Sequence, residues 1–150
     1  MLIKDVYHPH PRIINENLTI KEAVRLFVEQ EFNGFIVVNN NEKVVGILSL
    51  QDIAAATVPQ EFKNNINMAS AMYRQGFFHE MCNEIKDKKI KEIMRKEFVK
   101  VSLHDNIMAI TADFLKNDLY IVPVVEDDKL VGIITRSEIK KAIARSMQVI

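Results

Sequence analysis

The sequence predicts an α+β fold built from two α/β-type half-units, each with the element order strand, helix, strand, strand, helix (βαββα). Three repeated features indicate this fold. An amphipathic helix pattern at residues 20–28 recurs 87 residues later, each copy continues with two apolar runs around a polar turn, and each copy then opens a second helix. A single half-unit leaves one face of its sheet apolar, so we expect the half-units to pack together about a pseudo-twofold axis.

The first elements of each copy are a short lead-in and a helix. The lead-in IKDVY at 3–7 matches IKEIM at 90–94. The helix is predicted from apolar residues with the spacing i, i+3, i+4, i+7, i+8, which places them on one helical face. The two faces consist of Ile20, Ala23, Val24, Phe27 and Val28 in the first copy, and of Ile107, Ile110, Thr111, Phe114 and Leu115 in the second.

Two strands and a second helix follow in each copy. The apolar runs FIVV at 35–38 and IVPVV at 121–125 do not alternate with polar residues, so these strands should be covered on both faces. A polar turn joins each to a second strand, KVVGILS at 43–49 and KLVGIIT at 129–135, which predicts a hairpin. The helices then open with LQDIAAA and RSEIKKAIARSM.

The connector at 58–89 is too long for a structureless loop, and it divides the chain into repeat 1 (1–57), connector and repeat 2 (90–150). Its apolar residues have helical spacing, so we expect one or two helices, bent or broken near Gly76. These residues are Phe62, Ile66, Ala69, Met72, Tyr73, Phe77, Phe78, Met81 and Ile85. They either cover the core of the two repeats or form a surface for dimerisation or an effector protein.

Composition narrows the function classes. Lys+Arg and Asp+Glu are both 20, so the net charge of zero gives no global positive field for nucleic acid. The longest strongly apolar run, 119–125, is far shorter than the roughly 20 residues of a membrane span, and the N-terminus has no apolar core typical of a signal peptide. One cysteine excludes an internal disulfide. We therefore expect a soluble, cytoplasmic protein without membrane insertion.

The apolar-Pro-Val-Val run at 121–125, a polar turn and GIITRSEI at 132–139 together resemble the CBS domain, named after cystathionine β-synthase. With the first copy, which has Ile36 in place of proline and ends GILSLQDI at 46–53, the pair resembles a Bateman module. The resemblance implies a non-catalytic regulatory module that binds an adenine nucleotide or related adenosyl ligand between the repeats and signals to a partner. It also implies a homodimer, with AMP, ADP, ATP, S-adenosylmethionine or NAD as candidate ligands and no required cofactor.

In this family a Gly-x-x-Ser/Thr-x-x-Asp segment binds ribose and phosphate, which corresponds to Ser49 and Asp52 in the first copy and to Thr135 and Glu138 in the second. A helix start favours phosphate, and a carboxylate one turn later can accept both ribose hydroxyls. Arg136 could offset phosphate charge in the second site, where the first site has Leu50.

The resemblance places adenine between the first and central strands of each copy. For the first site these strands contribute Ile13, Ile14, Ile36 and Val37, with Arg12, His8 and His10 as nearby phosphate contacts. For the second site they contribute Lys100, Val101, Val122 and Pro123. Backbone groups at such strands can read the adenine edge.

Simpler interpretations stand beside these. Ser-x-x-Asp and Thr-x-x-Glu are also capping boxes, which would only begin a helix, and the module could be a ligand-free structural or dimerisation unit. His8 and His10 lack companion ligands for a metal, and His79 with Cys82 supplies only two of the four that a tetrahedral site needs. No nucleophile–base pair is apparent, so we expect neither a metal site nor catalytic residues.

Overall fold

The computed structural model describes residues 1–71, 76–117 and 119–150, and it confirms a mixed fold of two related halves. The first half contains β1 (Ile13–Asn15), α1 (Ile20–Gln30), β2 (Gly34–Val38), β3 (Val44–Ser49) and α2 (Leu50–Ala56). The connector contains α3 (Ile66–Ala71) and α4 (Phe77–Ile85), and the second half contains α5 (Ile107–Asn117), β4 (Ile121–Glu126), β5 (Lys129–Thr135) and α6 (Arg136–Ser146). No helix in the described part of the chain is long and apolar enough to cross a membrane.

The two sheets differ in their first strand. In the first half, β1 runs parallel to β2, and β2 pairs with β3 in an antiparallel hairpin. In the second half, β4 and β5 form the equivalent hairpin, but the expected first strand is reduced to a parallel bridge between Val101 and Val124. The backbone N–H of Val101 donates to the Pro123 carbonyl at 3.0 Å, and the Val125 N–H donates to the Val101 carbonyl at 2.8 Å.

The halves meet through the inner faces of their sheets. Ile36 and Ile47 of the first half form one buried cluster with Ile121 and Ile133 of the second. At Gly34, a Cβ atom would lie 3.0 Å from Cγ2 of Ile121, so β2 and β4 approach each other closely. All five residues of β2 are buried, as the uninterrupted apolar run predicts.

The N-terminal segment of each repeat packs on the opposite half, which the sequence does not reveal. We call residues 3–12 lead-in 1 and residues 90–99 lead-in 2. His8 and Ile133 exchange two backbone hydrogen bonds of 2.9 Å, which attaches lead-in 1 to β5. Arg95 and Ile47 exchange equivalent bonds of 2.9 and 3.0 Å, which attach lead-in 2 to β3. Each half is therefore completed by a segment of the other repeat.

Two glycines allow the lead-ins to approach the hairpins. A Cβ atom at Gly132 would lie 2.4 Å from the carbonyl oxygen of His8 and 2.6 Å from the ring of Tyr7. At Gly46, it would lie 2.7 Å from Sδ of Met94 and 2.9 Å from the carbonyl oxygen of Arg95. Because contacts this short do not occur, a side chain at either position would force its neighbours to shift.

The connector contributes to the core of the first half. Ile85 of α4 is buried beside Ile20 and Ile53, and α4 begins after Gly76, whose φ of 84° lies in the left-handed region. In contrast, Ile66, Met68 and Phe78 are exposed. The helices expected in the connector are present, Met72 and Tyr73 lie outside the described residues, and the role of the exposed residues in dimerisation stays a prediction.

Candidate functional site

A cavity of about 520 Å³ opens where β3 ends and α2 begins. We call it the Ser49 cleft. Its first wall comes from repeat 1, and its other walls come from lead-in 2, from the end of α5 and from residues at and just before the start of β4. The lining residues are Ile47, Ser49, Asp52, Arg95, Glu97, Phe98, Val99, Asn117, Leu119, Tyr120 and Ile121. The exchange of lead-ins explains this composition, because the chain passes the start of α2 directly after pairing with β3 at Arg95.

Ser49 and Asp52 form a capping box on the wall of this cleft. The N–H and hydroxyl of Ser49 donate to Oδ2 of Asp52 at 2.8 and 3.0 Å, and the Asp52 N–H donates to the Ser49 hydroxyl at 3.3 Å. The capping box that the spacing predicts is therefore present, and whether Asp52 also binds a ligand stays a prediction. Ser49 is buried and Asp52 is half-buried, and both bonds that the structure describes for the carboxylate use Oδ2. The Oδ1 atom has acceptor capacity left for a ligand hydroxyl.

Tyr120 joins the two halves at the rim of the Ser49 cleft. Its hydroxyl accepts a hydrogen bond from Nε2 of Gln51, the second residue of α2. The guanidinium of Arg136 lies 4.7 Å from the centre of the Tyr120 ring. Tyr120 therefore contacts the first residues of α6 as well as those of α2, and it lies between the Ser49 cleft and its counterpart beside Thr135.

Two smaller cavities lie where the repeat places the counterpart of the Ser49 cleft, and we call them together the Thr135 cleft. The larger cavity has a volume of about 430 Å³, and its lining includes Thr135 and Arg136. The smaller cavity has a volume of about 410 Å³, and its lining includes His8, His10, Ile13 and Ile14. Arg12 and Phe32 line both. The Arg12 guanidinium lies 3.7 Å from the Phe32 ring centre, so a cation–π pair lies in the wall that the two cavities share.

Glu138, the acidic residue of the second capping box, is held inside the protein. Glu138 is 3% exposed, and its Oε2 accepts hydrogen bonds from the N–H and the hydroxyl of Thr135 at 2.8 and 2.5 Å. Burial lowers the pKa of the Arg12 guanidinium, and the negative charge of Glu138 partly offsets this effect. The longer glutamate side chain thus reaches back to cap α6 and does not line either cavity.

The structure groups the expected site residues differently from the sequence. Arg12, His8 and His10 lie on the Thr135 side and not beside Ser49, because lead-in 1 crosses to the second half at Ile133. The same holds for Ile13 and Ile14.

The remaining strand residues line neither cleft. Ile36, Val37 and Val122 have no exposed surface, so only their backbone could meet a ligand. Pro123 and Val101 are also buried, and Lys100 is exposed.

Sequence reasoning missed the wall of the Ser49 cleft that repeat 2 supplies. It consists of Arg95, Glu97, Phe98, Val99, Asn117, Leu119 and Tyr120. Shifting these positions back by 87 gives His8, His10, Pro11, Arg12, Gln30, Phe32 and Asn33, which line the Thr135 cleft. The repeat therefore identifies these positions as equivalent, but they can be assigned to a cleft only once it is known that each lead-in packs on the opposite half.

His79 and Cys82 lie apart from both clefts. They line a separate cavity of about 410 Å³ between α4 and the helices of the first half. Within residues 1–71, 76–117 and 119–150, no three or more His, Cys, Asp or Glu side chains gather where they could hold a metal ion.

Comparison with known proteins identifies the repeated unit. The family model of the CBS domain matches residues 3–58 and 90–145. An uncharacterized protein of Methanocaldococcus jannaschii is 34% identical over 132 residues, which cover 87% of this chain but only 36% of that relative's length. This chain thus spans about a third of that longer protein.

Two crystal structures share the fold over nearly the whole chain. A CBS domain pair in complex with 5-methylthioadenosine and S-adenosyl-L-methionine has a TM-score of 0.71 at 24% identity, and the alignment covers 97% of this chain and 98% of that one. CBSX2 in complex with AMP has a TM-score of 0.72 at 21% identity, with the same coverage of 97% and 98%. The chain belongs to the CBS domain family and contains two tandem copies of the domain.

Proposed function

We propose that the chain is a non-catalytic regulatory module that binds an adenosyl ligand in the Ser49 cleft. One observation carries this proposal: the half-buried carboxylate of Asp52 lies on the wall of an open cavity of about 520 Å³ between the two repeats. This volume falls within the range of small-molecule sites. Two structural neighbours support the ligand class, since one was solved with 5-methylthioadenosine and S-adenosyl-L-methionine and the other with AMP.

The cleft offers complementary surfaces for the two parts of an adenosyl group. Asp52 accepts the ribose hydroxyls in charge-assisted hydrogen bonds. Ile47, Phe98, Val99 and Ile121 supply an apolar slot for the base, whose edge is read by backbone groups.

One ligand binds per chain. In the Thr135 cleft, the Arg12–Phe32 pair lies in the wall of both cavities, and Glu138 is buried in its own capping box. In the Ser49 cleft, the positions equivalent to Arg12 and Phe32 are Val99 and Leu119, which leave one continuous cavity. A ligand in the Thr135 cleft must displace a cation–π contact, which costs about 0.5–2 kcal/mol.

Signalling follows from the position of the Ser49 cleft between the repeats. A ligand that contacts Asp52 and Phe98 together stabilises one relative position of the halves, provided that it binds the alternatives unequally.

We further propose that the module is cytoplasmic, forms a homodimer and transmits its ligand state to an effector protein. If static light scattering finds a monomer at micromolar concentration, the proposed homodimer is wrong.

A thermal-shift and calorimetry panel tests the proposed function. The intact chain is mixed with 5′-methylthioadenosine and each of AMP, ADP, ATP, S-adenosylmethionine and NAD. We expect at least one to raise the melting temperature and to bind with a stoichiometry of about one per chain, because a ligand that binds only the native state stabilises it. If none shifts the melting temperature, the ligand-free structural or dimerisation module is favoured. Turnover of an added nucleotide contradicts a non-catalytic role.

A further inference from the structure

The two clefts carry opposite charge. Two carboxylates, Asp52 and Glu97, and one guanidinium, Arg95, line the Ser49 cleft. In the larger cavity of the Thr135 cleft, two guanidinium groups, Arg12 and Arg136, stand with one carboxylate, Glu31. The Ser49 cleft is therefore net acidic and the larger cavity of the Thr135 cleft is net basic, although the two clefts occupy equivalent positions in the duplicated fold.

The difference arises at equivalent positions of the two repeats. Where the Thr135 cleft has Arg12 and His10, the Ser49 cleft has Val99 and Glu97. The position of Arg136 is taken by Leu50, which is half exposed and cannot neutralise an anion. A phosphate group carries close to two negative charges at neutral pH, so each of these exchanges disfavours it in the Ser49 cleft.

The backbone at the start of α2 does not compensate for the missing cations. The N–H of Leu50 donates to the Asn33 carbonyl at 3.2 Å, and the N–H of Asp52 donates to the Ser49 hydroxyl at 3.3 Å. Two of the first three N–H groups of α2 therefore already have protein partners. The Ser49 N–H is also bonded, to Oδ2 of Asp52 at 2.8 Å. A phosphate at this position would meet a carboxylate and few available donors.

We propose that the ligand of the Ser49 cleft is an adenosyl compound whose 5′ substituent is a thioether or a sulfonium and not a phosphate ester, and that Glu97 determines this preference. The inference rests on the proposed function, because it names the ligand class of the same cleft. A neutral thioether has no charge to be repelled by Asp52 and Glu97, and a sulfonium is attracted to both. The aromatic ring of Phe98 in the same wall also favours a cation over an anion.

Isothermal titration calorimetry with three probes tests the preference. The probes are 5′-methylthioadenosine, S-adenosylmethionine and AMP, titrated into the intact wild-type chain and into Asp52→Ala, so that the binding lost with Asp52 is assigned to the Ser49 cleft. In that cleft we expect both sulfur compounds to bind at least about tenfold more tightly than AMP.

Reversing the charge of Glu97 is the second test of the ligand preference. Glu97→Lys should strengthen AMP binding to the Ser49 cleft and weaken S-adenosylmethionine binding. The preference for S-adenosylmethionine, measured as the AMP dissociation constant divided by that of S-adenosylmethionine, should therefore fall by at least about tenfold. Glu84→Lys is the matched control, since Glu84 is an exposed residue of α4 that lines neither cleft, and it should leave the ratio unchanged.

The outcomes separate this inference from the proposed function. If AMP binds the Asp52-dependent site as tightly as the sulfur compounds, or if Glu97→Lys leaves the ratio unchanged, the inference is overturned and the adenosyl site remains. If only other adenine nucleotides from the wider panel bind with Asp52 dependence, the inference is likewise overturned and the adenosyl site remains. If no adenosyl compound binds with Asp52 dependence, both the site and its preference are wrong.

Discussion

Replacing Gly132 with alanine is expected to lower the free energy of unfolding by about 2–3 kcal/mol, the usual cost of forcing extra atoms into a packed core. The new Cβ would lie 2.4 Å from the carbonyl oxygen of His8 and 2.6 Å from the Tyr7 ring. Relief requires lead-in 1 to move away from β5, which breaks the paired hydrogen bonds between His8 and Ile133. Urea denaturation of the purified variant measures the loss.

Gly46→Ala is the matched comparison for this prediction. The nearest atom there is Sδ of Met94, at 2.7 Å, in a flexible side chain that can rotate away. The carbonyl oxygen of Arg95 lies 2.9 Å away, so some cost remains. We expect Gly46→Ala to be clearly less destabilising than Gly132→Ala. A Gly132→Ala protein as stable as wild type would show that lead-in 1 does not pack on the second half as described.

Replacing Asp52 with alanine is expected to weaken adenosyl binding by about 1.5–3 kcal/mol, roughly a tenfold to more than a hundredfold loss of affinity. The variant removes the carboxylate that would accept the ribose hydroxyls. It also removes the acceptor of the Ser49 N–H and hydroxyl, but a lost cap costs only about 1 kcal/mol of stability. Calorimetry and urea denaturation on the same preparation separate the two effects.

Glu22→Ala controls for the loss of a capping box. Glu22 caps α1 with Thr19 in the same arrangement, with hydrogen bonds of 2.9 and 3.1 Å between the residues, and it lines neither cleft. This variant should lose a similar amount of stability and keep its ligand affinity. If Asp52→Ala binds adenosyl compounds as tightly as Glu22→Ala does, Asp52 only caps α2.

The repeated pattern was sufficient to predict the elements of each half. Uninterrupted apolar runs predicted the buried central strands, because a strand covered on both faces needs no polar side chains. The Ser49 and Asp52 spacing predicted the capping box, since that interaction is local and depends on only four consecutive residues. The short first strand of the second half was less regular than expected, with Val101 alone making the parallel bridge.

The composition of the clefts depends on long-range packing and was not accessible from local patterns. Assigning Arg12 to the Ser49 cleft assumed that each repeat supplies its own walls. The exchange of lead-ins reverses this assignment, because residues near His8 and Arg95 pair with the hairpin of the opposite half. The pairing of Arg12 with Phe32 and the burial of Glu138 also follow from tertiary contacts.

The proposed adenosyl site is tested by a crystal structure of the intact chain grown with a saturating concentration of the adenosyl compound that binds it most tightly. We expect one ligand per chain in the Ser49 cleft, with ribose hydroxyls at hydrogen-bonding distance, about 2.5–3.0 Å, from the Asp52 carboxylate. The base should contact side chains of both repeats, Ile47 on one wall and Phe98 on the other. An empty Ser49 cleft in these crystals, or a ligand held by one repeat alone, would rule out an adenosyl site between the two repeats.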